Sequence, residues 1–306
     1  MSKIKEKNIT APQLITYGFA AIILVGATLL SLPISSQTGE ATNFLDALFT
    51  ATSATCVTGL TTLTTATHWS TFGHLVILTM IELGALGFMS LPVLFYLVTR
   101  KKVGLGMRIL LQQSLNSDRR TGEVSLMIYI LKNALLIQLA GFLLLAIDFI
   151  PRFGWKKGTW FSLFHAVSAF GNAGFDLFGD SLVGFQQNPW VLSIISGLII
   201  SGGLGFLVWS DVLSYKSVRR ISLHSKIALI VTATLLIFGT LGFMLTEGNA
   251  ANLAEGNVIH RFFNTIFMSV TPRTAGFFSV DYASMTHAGL LLTLILNFIG
   301  GTSGST

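Results

Sequence analysis

A chain of 306 residues that is 52% hydrophobic and only 10% charged, with a mean hydropathy of +0.71, lies outside the range of water-soluble domains and reads as a multi-span membrane protein. The single cysteine, Cys56, excludes an internal disulfide and a cysteine-rich metal site. The net charge of +6 does not indicate nucleic acid, because the basic residues are gathered in alternate loops, where they report membrane orientation.

In chain order, residues 1–12 form a tail that carries Lys3, Lys5 and Lys7. Six apolar runs follow: Leu14 to Leu32, Leu75 to Val98, Leu126 to Ile150, Val191 to Val208, Ile227 to Leu245 and Ala288 to Ile299. Most approach the roughly 20 residues that a bilayer-crossing helix needs. No small-x-small cleavage pattern follows the first run, so it is expected to remain a span and not a signal peptide. Arg100, Lys101, Lys102, Arg108, Arg119 and Arg120 lie between runs two and three, and Lys216, Arg219, Arg220 and Lys226 between runs four and five. Those segments and the N-terminus are expected in the cytoplasm; Pro33 to Trp69, with no lysine or arginine, is expected outside.

Between the spans lie shorter helical patterns. Asn43 to Thr55 places Phe44, Leu45, Ala47, Leu48, Phe49 and Ala51 at helical spacing with Asn43 as a cap, yet covers only about three turns. The pattern recurs at Thr159 to Phe170 and at Ile259 to Val270. Each ends in small or hydroxyl residues and one glycine: Gly59, Gly174 and Gly276 are equivalent points of a repeated unit. A second glycine cluster follows each, beginning at Gly84, Gly202 and Gly300, after 25, 28 and 24 residues. Gly84, Gly87, Gly202 and Gly205 are expected at close helix contacts. The organisation is therefore a first unit over 13–99, a basic loop over 100–123, a second unit over 124–209, a basic loop over 210–225 and a third unit over 226–306. The third breaks off at Thr306, in the glycine-rich region, and the chain reads as an incomplete form of a longer protein.

Non-helical backbone at membrane depth survives only where protein or a watery cavity covers it. A half-helix ending near the midplane directs the negative end of its dipole inward, which favours a cation. Glycine then lets the next residues turn carbonyl oxygens toward an axis, and rings of carbonyls replace the hydration shell of potassium.

These residues resemble the potassium transporters of the Ktr, Trk and HKT superfamily, in particular KtrB-type membrane subunits, over essentially the whole chain. The resemblance implies an all-α membrane protein of helix, pore-loop, helix units around a potassium-channel-like pseudo-fourfold pore, with three units present and the third incomplete. It implies an ion filter at Thr55, Cys56, Val57, Thr58 and Gly59, at Asn172, Ala173 and Gly174, and at Thr274, Ala275 and Gly276, with K+ held by backbone carbonyls only. It implies a gate at Gly300, Gly301, Thr302, Ser303, Gly304 and Ser305. Gly59, where sodium-passing plant relatives carry serine, points to potassium; a sodium or other monovalent-cation transporter of the same fold is the alternative. The resemblance further implies potassium uptake across the cell membrane without enzymatic chemistry or a cofactor, leaving open whether Na+ activates or is coupled. It implies a homodimer on cytosolic nucleotide-binding KtrA-type subunits, within membrane lipid. Three filter strands do not close a fourfold ring, so function is expected of the full-length parent.

Other residues admit plainer roles. Glu82, an acid within a span, either attracts cations at the pore or is hydrogen-bonded in a helix interface. Arg273, a cation beside a cation filter, is expected to brace its loop by bonding carbonyls or a neighbouring acid. Asp176, Asp180 and Asp281 follow the turns and either concentrate cations or sit in solvated loops. His68, His74, His165, His260 and His287 lack metal-ligand spacing. Gly301-Thr302-Ser303-Gly304 matches an intramembrane serine protease string, but no histidine lies near enough to serve as base.

Overall fold

The computed structural model describes residues 11–87, 123–205, 208–212, 221–248, 253 and 257–302. The expected N-terminal tail up to residue 10, the basic loop from 100 to 122, most of the second basic loop, and Ser303, Gly304 and Ser305 lie outside them.

Unit one contains α1 (Ala11–Ser31), the short helix α2 (Phe44–Thr55), a single turn α3 (Thr65–His68) and α4 (Thr71–Ala85). Pro33 ends the path of α1 in a 3-10 turn. Ser70, the N-cap of α4, donates its N–H to the Ser35 carbonyl at 2.8 Å, and its hydroxyl accepts from Gly73. The bond from Ser70 to Ser35 brings the C-terminal end of α1 and the N-terminal end of α4 together while α2 packs against both. Asn43 caps α2 by accepting from the Leu45 N–H at 3.0 Å.

Unit two contains α5 (Glu123–Phe153), α6 (Trp155–Phe170) and α7 (Pro189–Gly203). Gly154, with φ of 80°, makes the one-residue corner between α5 and α6. The lack of a Cβ at Gly158 lets α6 pass against the backbone of Phe149 and Ile150, where a methyl would stand 2.6 Å away. The expected half-helix from Thr159 begins four residues earlier, at Trp155. Unit three contains α8 (Leu223–Thr246), α9 (Val258–Val270) and α10 (His287–Ile299), with Thr286 capping α10 through the Gly289 N–H.

Successive units are joined by a repeated contact: α4 packs on α6, and α7 packs on α9. The second helix of each unit therefore backs the short helix of the next. Two apolar clusters follow this pattern, one uniting α1, α2, α4 and α6 around Trp69, Ile77, Ile81 and Phe164, the other uniting α5, α6, α7 and α9 around Phe149, Phe170, Ile195 and Phe267.

Helices α5 and α8 are long and apolar enough to cross a membrane. The second helices are not. α4 and α7 have 15 residues each and α10 has 13, so at about 1.5 Å per residue they cover roughly 20 Å of the roughly 30 Å hydrocarbon core. This corrects the expected continuous span from Val191 to Val208. Of the expected span from Leu75 to Val98, residues 88–98 lie outside the described residues. The reason is the glycine clusters: Gly87, Gly205 and Gly300 hold φ of 77°, 82° and 66° and terminate α4, α7 and α10. Gly87 breaks the helix by its left-handed backbone. Gly84 is a close helix contact, with an added Cβ 2.1 Å from the Thr55 carbonyl oxygen.

Candidate functional site

The short helices α2, α6 and α9 end in turns with one backbone pattern. Val57, Asn172 and Thr274 hold φ of 56°, 56° and 86°. One residue of negative φ follows, and then Gly59, Gly174 and Gly276 hold φ of 80°, 70° and 77°. A left-handed residue, one of negative φ and a left-handed glycine thus recur three times.

Hydrogen bonding explains how each turn leaves its helix. After α2, Thr58 donates to the Ser53 carbonyl at 2.8 Å and Val57 to that of Ala54 at 3.4 Å. After α6, Ala173 donates to Ser168 at 2.8 Å and Asn172 to Ala169 at 3.2 Å. Both are Schellman motifs, in which a left-handed residue one past the cap satisfies the last helical carbonyls. In unit three Pro272 supplies no N–H, and the pattern shifts: Arg273 donates to Val270 and Ala275 to Thr271. Ser168 and Thr271 close their turns by donating hydroxyls to the carbonyls of Phe175 and Phe277. Ser53, the counterpart of Ser168, has a buried hydroxyl without a partner among the described residues.

The three turns meet. A Cβ on Gly59 would stand 2.5 Å from the Ala173 carbonyl oxygen and 3.3 Å from the Gly174 Cα. A Cβ on Gly174 would stand 2.8 Å from the Ala275 carbonyl oxygen and 3.1 Å from the Gly276 Cα. Backbone therefore lies against backbone between the first and second turns and between the second and third, with Ala173 and Ala275 fully buried and Cys56 exposed. The segments after the turns of units two and three are stitched together: Leu182 donates to the Phe278 carbonyl at 2.9 Å, and Phe278 donates to the Ser181 hydroxyl at 3.0 Å.

The beginning of the glycine-rich segment is also anchored. Thr302 donates its N–H and its hydroxyl to the Gly203 carbonyl, at 3.2 and 3.0 Å, tying it to the end of α7. Arg273 donates Nε to the Gly300 carbonyl at 3.3 Å and a terminal nitrogen to the Thr232 hydroxyl at 3.2 Å. The arginine thus braces a carbonyl beneath its turn. Gly301 lies between these two anchors.

Glu82 takes the interface role of the two left open: its Oε2 accepts from the Gln138 amide at 2.9 Å, across α4 and α5. Asp176 accepts from the N–H groups of Phe178 and Gly179, and Asp281 from Ala283, so both carboxylates shape their own loops. What sequence reasoning missed is the left-handed backbone at Val57 and Thr274, since β-branched residues rarely adopt it. The asparagine at the matching position, Asn172, is the one residue type that hinted at it.

Residues 9–306 match the family model described as TrkH, cation transport protein. The chain is 56% identical over 306 residues to the potassium/sodium uptake protein NtpJ of Enterococcus hirae, covering 100% of this chain and 68% of that one. It is 41% identical over 304 residues to the Ktr system potassium uptake protein B of Bacillus subtilis, covering 99% of this chain and 68% of that one. The crystal structure of the potassium transporter TrkH from Vibrio parahaemolyticus superposes with a TM-score of 0.66 at 17% identity, over 99% of this chain and 59% of that chain. The chain thus spans about two thirds of the length of these curated relatives and less of the solved structure.

Proposed function

The chain belongs to the TrkH family of cation transport proteins, and from that premise we propose that it carries potassium across the cell membrane as the ion-translocating part of an uptake system. The observation that supports this best is the meeting of Gly59, Gly174 and Gly276, each left-handed, with Gly59 against the backbone of the second turn and Gly174 against that of the third. Alternating the sign of φ turns successive carbonyls to one side of a strand, and carbonyls gathered around one axis can replace the water around a potassium ion. The proposed filter is Thr55 to Gly59, Asn172 to Gly174 and Thr274 to Gly276. The helix ends behind it add the negative end of their dipoles.

In this reading the segment Gly300 to Ser305 gates the path beneath the filter, with Arg273 and the Gly203 carbonyl holding its first residues. The three turns supply three quadrants of the proposed fourfold ring. The N-terminus lies in the cytoplasm by the distribution of basic residues. The Bacillus relative is named as one protein of a Ktr system, and the proposed assembly for this chain is a homodimer with cytosolic nucleotide-binding KtrA-type subunits. Potassium is the cargo, and the mechanism invokes no cofactor and no covalent chemistry.

The test is Gly174→Ser, assayed by potassium uptake in cells lacking their own uptake systems. A side chain here meets the Ala275 carbonyl, so the half-saturating potassium concentration is expected to rise about tenfold, equivalent to about 1.4 kcal/mol, and sodium is expected to enter. Unchanged uptake with sodium still excluded overturns the filter assignment. A second reading, sodium as a transported or activating ion, is favoured by the name of the Enterococcus relative, a potassium/sodium uptake protein. Uptake measured with the two ions in competition separates it from the first.

A further inference from the structure

A crevice of about 680 Å³ runs between α5 and α6 on the flank of unit two. Leu139, Phe142, Leu163 and Val167 line it together with Gln138, and Lys156 and Thr159, in the first turns of α6, mark the end nearest the corner between the two helices. Leu139 and Leu163 are exposed, as expected of side chains that face lipid. From Lys156 to Val167 is eleven residues, about 16 Å of helix at 1.5 Å per residue. That is the depth of one leaflet, half of a roughly 30 Å hydrocarbon core.

The mouth carries charge that no described carboxylate matches. Arg152, one turn away, is engaged by Asp148 at 3.3 Å and by the Phe185 ring at 5.1 Å. Neither Lys156 nor Lys157 has a carboxylate partner among the described residues. Trp155 beside them is 74% exposed. An exposed tryptophan next to lysines is the composition of a membrane–water interface. An apolar slot one leaflet deep, with a free ammonium group at its interfacial end, has the dimensions and charge of half a phospholipid.

We propose that this crevice is a binding site for an anionic glycerophospholipid, with one acyl chain between α5 and α6 and the phosphate on Lys156. The site stands independently of the ion-transport reading, since none of its residues lies in the three turns.

Native mass spectrometry of the full chain, titrated with phosphatidylglycerol and with phosphatidylcholine of the same chain length, tests the assignment. One phosphatidylglycerol is expected to be retained in preference to phosphatidylcholine, by about fivefold, the effect of one basic side chain at a lipid surface. Lys156→Gln abolishes that preference. Leu139→Trp fills the slot and removes both lipids, whereas Ile237→Trp, on the exposed face of α8, changes neither. Equal retention of the two lipids by the unaltered chain, or a preference that survives Lys156→Gln, overturns the proposal. So does a Leu139→Trp variant that loses a dimer while keeping its lipid, which makes the crevice an interface between copies. Should Leu139→Trp fail to fold, the difference in quenching by brominated lipid between the unaltered chain and Trp160→Phe decides: Trp160 lines the crevice, and its quenching must be stronger with brominated phosphatidylglycerol than with brominated phosphatidylcholine.

Discussion

Val57 holds φ of 56°, a conformation that costs a β-branched residue on the order of 1–3 kcal/mol. The protein tolerates it because the carbonyls of α2 are satisfied by the turn that follows. The same position in unit two is Asn172, also at 56°, and asparagine enters this region at lower cost. Val57→Asn is therefore expected to raise stability by about 1 kcal/mol, read as a higher melting temperature in detergent. A lower one would mean that the isopropyl group, packed near Gly84, contributes more than the strain removes. At the neighbouring turn, Arg273 shows how a cation coexists with a site proposed for cations. Its guanidinium is directed to the Gly300 carbonyl and the Thr232 hydroxyl.

Among the elements, α8 begins at a junction built on Asp211. Its carboxylate accepts the N–H of Ser222 at 3.1 Å, the Ser222 hydroxyl, and the Ser225 hydroxyl at 2.6 Å. Partial burial pushes the carboxyl pKa upward, but the bonds from Ser222 and Ser225, with His224 nearby, outweigh it and hold the group below its ordinary value. Because the folded pKa lies below the unfolded value of about 3.9, this contribution is complete above that pH and is lost as pH falls through the lower folded value. Melting temperatures measured from about pH 7 to about pH 3 are expected to drop at the acid end, and Asp211→Asn should remove that component of the drop. Periodicity found the short helices, because apolar side chains every three to four residues mark a helix wherever it lies. It overran the ends of the second helices: Gly205 lies within an apolar run, and hydropathy does not register a reversal of φ.

At the scale of the whole molecule, the units are held together by a few polar contacts within extensive apolar packing. Gln138 of unit two donates to Glu82 of unit one, whose Oε1 is buried without a partner among the described residues. Removing the amide leaves the carboxyl group unsatisfied on both oxygens. Gln138→Ala is thus expected to cost about 1–3 kcal/mol, and adding Glu82→Ala is expected to recover part of that loss. A double-mutant cycle in thermal melts checks this, and strictly additive effects would show that the pair does not couple.

Composition was enough for membrane residence, and the length of the apolar runs for helical spans, since a chain in lipid must pair its backbone internally and a run of about 20 apolar residues does so as a helix. The threefold recurrence of a short helix, small residues and a glycine was equally legible, because it is a local pattern. Folding alone settled that Gly59, Gly174 and Gly276 touch, that Glu82 faces Gln138 and that Arg273 reaches Gly300. Each is a contact between segments distant along the chain, made by the packing of α4 on α6, of α7 on α9 and of each unit upon itself, and side-chain identity along one segment carries no record of which other segment will lie against it.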